Sequence, residues 1–214
     1  AAELAPEHLS AYSLIIEEGT PFWSWYGEDA NQTLRPKEML PLPSEEDERR
    51  MYARTREILE QYGYHRYEIS NYAKDGYACR HNIGYWTGTE YLGLGLGASS
   101  YIQGFRFHNE SDLSLYDKIQ MTGTDADEKL HQEITKLSDK EKMEEFMFLG
   151  LRMIKGVSGS EFFQRFGQNM WNVYGNVLNK LKDEGLIIVD MPDVRLSDYG
   201  IDVSNYVLSE FLLD

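Results

Sequence analysis

Hydrophobic positions give the first half of the chain mixed strand and helix patterns and the last third mainly helical ones. Residues 9–16 (LSAYSLII) are apolar on both alternations, which is typical of a strand covered on both faces. Such a strand is expected in the middle of a parallel sheet or barrel. Residues 22–43 combine Trp, Pro and polar positions, and they predict a loop.

A helix is predicted from Ser44 onwards. Ser44 and Asp47 have the spacing of a capping box, in which both ends of the first turn are hydrogen-bonded. Apolar residues then recur at helical spacing as far as Gly63, which supplies a C-terminal stop. This helix is expected to bury one apolar face.

Two further segments of the first half predict extended chain. Residues 67–72 (YEISNY) alternate between apolar and polar positions, and residues 100–107 are strand-like with a turn at Gly104. Residues 1–108 are therefore expected to form an α/β region.

A boundary is predicted between the two halves. Residues 109–137 are polar and turn-rich, above all at 121–125, and predict a linker. Residues 138–214 then show three helical patterns, two short strands and a terminal helix. This is the element order of a winged helix, so the fold class is α/β and α+β with a winged-helix-like C-terminal domain. The three helices are expected to start near Ser138, Ser160 and Met170.

Charge narrows the possible partners. The chain has 36 acidic and 21 basic residues and a net charge of −15, which argues against nucleic acid or an anionic membrane surface as the main partner. Residues 138–214 are acidic as well, whereas a helix that reads DNA needs a basic face. A structural or partner-docking winged helix is therefore favoured.

Apolar run lengths and cysteine usage indicate the compartment. No apolar run is long enough for a membrane span, and no secretory signal pattern is visible at the first residues. A single cysteine excludes an internal disulfide and a cysteine-held cluster. A cytoplasmic location is the simplest expectation, and the oligomeric state is left open.

The rarer chemical groups of the chain lie together between residues 79 and 98. This segment has the only cysteine, a histidine, a Tyr-Trp pair and a glycine at every second position. An imidazole can ligate iron, aromatic faces can stack on a planar ligand, and glycines let backbone approach a cofactor. The alternative is that these residues have no ligand: His81 is then a structural histidine, and Tyr85 and Trp86 belong to the core. Cys79 and His81 alone do not make a zinc site.

Residues 93–98 (GLGLGA) formally match a dinucleotide-binding fingerprint. That motif needs a helix N-terminus immediately afterwards, but residues 99–105 favour extended chain. Binding of NAD or FAD is therefore disfavoured. Two interpretations are left, a tightly packed buried strand or a strand whose bare backbone lines a cofactor pocket.

Several sequence motifs, and the order in which they follow one another, resemble the radical SAM family of oxygen-independent coproporphyrinogen III oxidase-like proteins. Residues 148–152 (FLGLR), with the Gly-Val pair at 156–157, also resemble the start of that family's C-terminal domain. The H-N-x-x-Y-W signature resembles the heme-chaperone (HemW) branch. The motifs are residues 8–14 (HLSAYSL) with 18–21 (EGTP), 67–73 (YEISNYA), 81–86 (HNIGYW) and 93–98 (GLGLGA).

The resemblance implies a chain that is the C-terminal part of a radical SAM partial barrel followed by the winged-helix-like accessory domain. In such a parent a Cys-x3-Cys-x2-Cys loop holds a 4Fe–4S cluster that cleaves S-adenosylmethionine. This sequence has no such loop, so it is expected to do no radical chemistry alone. The implied function is heme binding and delivery to acceptor proteins. The alternatives are a true oxidase that converts propionates to vinyl groups, and a non-catalytic winged-helix interaction module.

The resemblance also implies roles for individual residues. His81 is expected to ligate heme iron. Tyr85 and Trp86 are expected to form aromatic walls of the heme site, and Arg80 is expected to bind a propionate. Ser99 stands where histidine is common in the family and Leu96 where proline is common, so a second histidine ligand is not expected. A pocket for S-adenosylmethionine or substrate in the intact parent is expected at Gly93, Gly95, Gly97 and Ala98, with Tyr12 and Glu17 as weaker candidates.

Overall fold

The computed structural model describes residues 1–27, 36, 39–119 and 126–213. The chain divides into two compact units, Ala1–Ala78 and Cys79–Asp214, called here the N-terminal and the C-terminal unit. The division follows residue 78, whereas the sequence predicts a boundary within residues 109–137. The segment 79–108, with its site candidates, thus belongs to the same unit as the C-terminal helices.

The N-terminal unit is a small antiparallel sheet with helices. Its three strands are arranged in the order β1-β3-β2, and every pair is antiparallel. The core cluster of this unit consists of Leu59, Tyr64 and Tyr72. The elements are a 3-10 helix Ala2–Leu4, β1 His8–Ser10, α1 Pro21–Tyr26, α2 Glu45–Gln61, β2 His65–Arg66 and β3 Asn71–Ala73.

The prediction of a buried parallel strand over residues 9–16 is wrong for this structure. Only His8–Ser10 forms a strand, and it pairs antiparallel with β3. Beyond it Tyr12, Leu14 and Ile15 are 65%, 67% and 76% exposed. No described strand pairs with residues 12–16, so these apolar side chains stay largely exposed in this structure.

Local capping signals explain the two helices of this unit. The Trp23 backbone N–H donates to Thr20 Oγ1 at 3.2 Å and proline follows the cap, so a short helix stands where a loop was predicted. Residues 28–35 and 37–38 of that loop lie outside the described residues. The predicted cap of α2 is confirmed, since the Asp47 N–H donates to Ser44 Oγ at 3.2 Å. Of the apolar face of α2, only Leu59 is buried.

The C-terminal unit begins with a short helix and an antiparallel sheet. The predicted turn at Gly104 is confirmed, because Gln103 and Gly104 have φ angles of 51° and 77° between β4 and β5. Further along the chain, β6 pairs with β5, so part of the segment predicted as a linker belongs to this sheet. Its pattern HQEITK carries little apolar signal, and residues 120–125 lie outside the described residues. The elements are α3 Arg80–Trp86, β4 Ser99–Ile102, β5 Phe105–Asn109, α4 Leu113–Tyr116, α5 Ala126–Leu130 and β6 His131–Lys136.

Helices and a hairpin complete the unit and hold its core. The predicted capping box is present, since Ser138 Oγ accepts from the Glu141 N–H and the Glu141 carboxylate accepts from the Ser138 N–H. The predicted terminal helix is split into two short helices, and α6 ends at Gly150. The fully buried side chains include Met147, Phe162, Tyr174, Leu178 and Phe211. The elements are α6 Asp139–Gly150, α7 Gly159–Phe166, α8 Met170–Asp183, β7 Ile187–Asp190, β8 Asp193–Leu196, α9 Asp198–Asp202 and α10 Ser204–Ser209.

Among the described residues, no helix combines the length and the apolar character that crossing a membrane requires.

Candidate functional site

The H-N-x-x-Y-W signature forms helix α3. The helix starts after Cys79 and ends at Thr87, whose hydroxyl donates to the Ile83 carbonyl at 2.9 Å. Gly88, with φ at 66°, then turns the chain away. Residues four apart on a helix lie on one face, so this segment presents His81 and Tyr85 side by side.

His81 and Tyr85 begin a ladder of aromatic rings. The two rings meet edge to face with centroids 4.7 Å apart, and Tyr85 meets Tyr91 in the same way at 4.7 Å. A tilted contact from Tyr91 to Tyr101, at 6.5 Å, anchors the ladder to β4. Edge-to-face pairs are favourable geometries, so the ladder limits how the imidazole can turn. Burial raises the pKa of Tyr91, and Arg106 partly opposes this shift.

His81 has free ring nitrogens within the described part of the chain. It is exposed, and neither ring nitrogen has a hydrogen-bond partner among the described residues. By contrast, His8 Nε2 lies 2.9 Å from the Tyr67 hydroxyl, and His108 Nδ1 lies 2.8 Å from the Asn109 carbonyl oxygen. A neutral imidazole with an open ring nitrogen is the form that can ligate a metal.

Trp86 lies on a different face of α3 from His81. Five residues along an α-helix correspond to a rotation of about 140°. The Arg152 guanidinium lies over the Trp86 ring, 4.3 Å from its centroid, which is a cation–π contact. Trp86 also lines a cavity of about 450 Å³ inside the C-terminal unit. The structure thus brings His81 and Tyr85 together and turns Trp86 away from them. Arg80 is exposed at the start of the helix.

The glycine-rich segment is a loop and not a strand. Gly95 and Gly97 have φ angles of 99° and 64°, which break a strand, whereas β4 starts directly afterwards as the sequence predicts. The Asn109 side-chain amide donates to the Gly95 carbonyl at 2.8 Å and holds the loop. A Cβ atom at Gly93 would lie 2.3 Å from the Ser99 carbonyl oxygen, so this glycine is needed for close backbone packing. Ala98 is half-buried at the end of the loop.

Tyr12 belongs to the N-terminal unit and lines a cavity of about 320 Å³ between the segment after β1 and α2. Its hydroxyl accepts from Asn71 Nδ2 at 3.3 Å. The same amide nitrogen donates to the buried Glu68 carboxylate at 2.7 Å. The YEISNY motif thus positions Tyr12. The Glu17 carboxylate makes no hydrogen bond or ion pair with another described residue.

Sequence reasoning missed several residues around Trp86. Glu145 and Arg106 belong to no recognisable motif, yet Arg106 Nη2 donates to Glu145 Oε2 at 2.9 Å beside the cavity, and the FLGLR motif gave no sign that Arg152 contacts Trp86. Burial raises the pKa of Glu145 above its usual value, with Arg106 opposing the shift. Only tertiary packing brings these side chains together, so no local signal marks them.

A cysteine-held cluster does not fit this chain. Cys79 is its only cysteine, and a 4Fe–4S cluster needs several thiolates. Among the described residues, no group of three or more His, Cys, Asp or Glu side chains is arranged to hold a metal ion. A single axial histidine is a different kind of site, because a porphyrin supplies the other ligands of heme iron.

Sequence comparisons identify relatives over almost the whole chain. Residues 137–203 match the HemN C-terminal domain. The chain is 35% identical to the heme chaperone HemW of Lactococcus lactis over 99% of its own length and 52% of that protein. It is 36% identical to the heme chaperone HemW of Bacillus subtilis, over 99% of the chain and 52% of that protein. The chain thus spans about half the length of the curated relatives it matches.

A solved structure shows the same fold. The structure titled "Coproporphyrinogen III oxidase (HemN) from Escherichia coli is a Radical SAM enzyme" matches with a TM-score of 0.68 over 99% of this chain and 49% of that one. The sequences are 18% identical, so this likeness concerns the fold and not the reaction. Together with the motifs in their order, the matched domain and the two relatives show that the chain belongs to the HemN- and HemW-like family.

Proposed function

We propose that this chain is the heme-handling part of a heme chaperone, in which His81 ligates heme iron and the heme is passed to an acceptor protein. The relatives of 35% and 36% identity carry the name heme chaperone HemW. The observation that carries the proposal is the exposed His81 imidazole, which has free ring nitrogens and rests on an aromatic ladder.

The surroundings of His81 suit a ligand that must be both held and released. An exposed imidazole can bind iron without any rearrangement of the core, and Tyr85 offers an aromatic wall beside it. Arg80 precedes His81 on the same helix, and its planar guanidinium can pair with a propionate. Ligation by a single imidazole would leave the heme iron able to take a ligand from the acceptor protein.

The remaining assignments concern the parent protein. We assign S-adenosylmethionine and the 4Fe–4S cluster to a part of the parent outside this sequence. The loop from Gly93 to Ala98 and, separately, Tyr12 of the N-terminal unit are proposed as contacts to bound S-adenosylmethionine or substrate. The N-terminal unit is proposed as part of the radical SAM partial barrel. Two observations support a winged-helix-like C-terminal domain, the order of helices and hairpin and the bridge between Val157 and Val194. A cytoplasmic location is also proposed, because the sequence has a single cysteine and therefore no internal disulfide.

A hemin titration followed by visible absorbance tests the central assignment. Wild-type protein is expected to give a saturable spectrum of histidine-ligated heme, and His81→Ala is expected to lose it because the axial nitrogen is gone. His65→Ala is the matched control, since His65 is also an exposed histidine but lies near Asp75 in the N-terminal unit. Identical spectra for wild type and His81→Ala would overturn the assignment.

A further inference from the structure

Helix α3, which carries His81, is too short to be stable by itself. It has seven residues, and isolated helices shorter than about 12–15 residues are marginal in water. Its N-terminal end has no side-chain cap, and its first turn has no acidic residue to favour the helix dipole. The position of His81 therefore depends on what other elements contribute to α3.

Two arginines from the C-terminal helical region contact the last turn of α3, and they are called here the arginine pair. Arg152, which follows α6, has its guanidinium 4.3 Å from the centroid of the Trp86 ring. Arg165, on α7, donates from Nη1 to the Thr87 carbonyl oxygen at 3.0 Å. The last carbonyl groups of a helix lack intrahelical partners and attract cations, so this end of α3 suits two arginines.

Arg152 contacts Trp86 without a competing ion pair. Among the described residues no carboxylate pairs with Arg152, and its Nε atom is buried without a hydrogen-bond partner. The Trp86 indole nitrogen is also buried without a partner in that part of the chain. A guanidinium that is partly withdrawn from water gains more from an aromatic face than an exposed one does. The contact therefore joins the end of α3 to the end of α6.

Arg165 links α3 to two other helices. Its guanidinium pairs with Glu161 on its own helix, α7, and lies 5.3 Å from the centroid of the Phe146 ring on α6. A planar guanidinium that is fixed by such contacts loses little further freedom when it donates to Thr87. The hydrogen bond to Thr87 therefore ties α3 to a side chain that is already held in place.

The arginine pair and the aromatic ladder act on different faces of α3. The ladder begins at His81 and Tyr85, whereas Trp86 lies about 140° around the helix from His81. Contacts on two faces restrict the rotation of a helix about its axis. The direction of the His81 imidazole follows that rotation, because His81 and Trp86 belong to one helix of about two turns.

We propose that Arg152 and Arg165 are positioning residues for His81, and that α6 and α7 serve to hold the iron-ligand helix in place. The two arginines act through α3 and do not touch the heme. The role at the iron rests on the proposed function, whereas the support of α3 by the arginine pair does not.

The rate of hemin release measures the effect on the iron site, with the full chain loaded with hemin and an excess of apomyoglobin as the acceptor. Arg152→Gln is expected to release hemin about threefold to tenfold faster than wild type, because the cation–π contact is lost. Arg152→Lys keeps a cation over the ring and is expected to lie between the two. Arg195→Gln is the matched control and is expected to release hemin at the wild-type rate, since Arg195 is a partly exposed arginine of the same unit that pairs with Asp190.

A double-mutant comparison tests whether Arg152 acts through His81. In His81→Gly with saturating free imidazole, the iron ligand is no longer attached to α3. Arg152→Gln is therefore expected to accelerate hemin release in the wild-type background and to leave it unchanged in the imidazole-loaded His81→Gly background. Equal acceleration in both backgrounds would indicate a merely structural role and would overturn the proposal.

Hydrogen exchange of the heme-free chain supplies a second readout. Backbone amides of residues 83–87 are expected to exchange about threefold to tenfold faster in Arg152→Gln and in Arg165→Gln than in wild type, because the last turn of α3 opens more often. Amides of α8 are expected to keep their wild-type exchange rates, which shows that each variant is folded. Wild-type protection of residues 83–87 in both variants would overturn the proposal.

The outcomes separate this proposal from the function of His81. A histidine-ligated hemin spectrum that survives His81→Ala overturns the proposed function and, with it, the role of the arginine pair at the iron. Loss of that spectrum in His81→Ala, together with wild-type hemin release from Arg152→Gln and Arg165→Gln, overturns the positioning proposal alone.

Discussion

At the scale of single residues, Glu145 is a partly buried carboxylate of the C-terminal unit whose pKa is shifted. Burial raises its pKa above the usual 4.5, and the ion pair with Arg106 opposes the shift without cancelling it. A carboxyl group whose pKa is raised in the folded state binds its proton more tightly there than in the unfolded chain. Its contribution to stability is therefore full below pH 4.5 and is lost as the pH rises through the raised pKa.

Glu145→Gln removes this titration. We expect the difference in melting temperature, variant minus wild type, to increase as the pH rises from about 4 to about 7. The reason is that only the wild-type protein then buries a charged carboxylate. Thermal unfolding followed by circular dichroism across this range measures the difference. A difference that stays constant, or that moves in favour of wild type with rising pH, would contradict the assignment.

The sequence predicted which residues lie near the site, but it did not predict in which direction their side chains point. The resemblance groups His81 with Tyr85 and Trp86, and the helical spacing of four brings the first two together. The same helix turns Trp86 towards Arg152, which is 66 positions further along the chain. A long-range partner of this kind leaves no mark in the local pattern.

At the scale of elements, caps decide where the helices begin. The serine at the start of α6 is part of a complete capping box, whereas the serine at the start of α7 makes no side-chain capping bond. Ser138→Ala is therefore expected to reduce the free energy of unfolding by about 1 kcal/mol. Urea denaturation measures the loss.

Ser158→Ala is the matched control for this cap. Its hydroxyl satisfies no helix N–H, so the free energy of unfolding is expected to stay within about 0.5 kcal/mol of wild type. Equal losses for Ser138→Ala and Ser158→Ala would show that the capping box contributes nothing specific.

Element predictions succeeded where the signal is local. The start of α2, the capping box of α6 and the turn at Gly104 all depend on neighbours within a few residues, and all are present. Residues 9–16 failed because burial on both faces depends on other strands and layers. The strand β6 was missed because its pairing with β5 is long-range and its pattern is polar.

At the scale of the whole molecule, the two units differ in how much they bury. The largest fully buried side chains lie mostly in the C-terminal unit, while the core cluster of the N-terminal unit holds Leu59, Tyr64 and Tyr72. Local stability follows buried apolar packing. The N-terminal unit is therefore expected to open at a lower free energy than the C-terminal unit.

Hydrogen exchange followed by mass spectrometry measures this difference directly. Backbone amides of α6 and α8 are expected to exchange more slowly than those of α2, which buries only Leu59. Protection of α2 equal to that of α8 would show that the two units unfold together.

The central claim is that His81 supplies the axial nitrogen to heme iron, and chemical rescue tests it most directly. His81→Gly removes the imidazole, and free imidazole can then occupy the vacated position on a bound heme. We expect the hemin spectrum of His81→Gly to lack the histidine-ligated form and to regain it saturably on addition of imidazole, while His65→Gly keeps it throughout. A His81→Gly spectrum that matches wild type before any imidazole is added would contradict the claim.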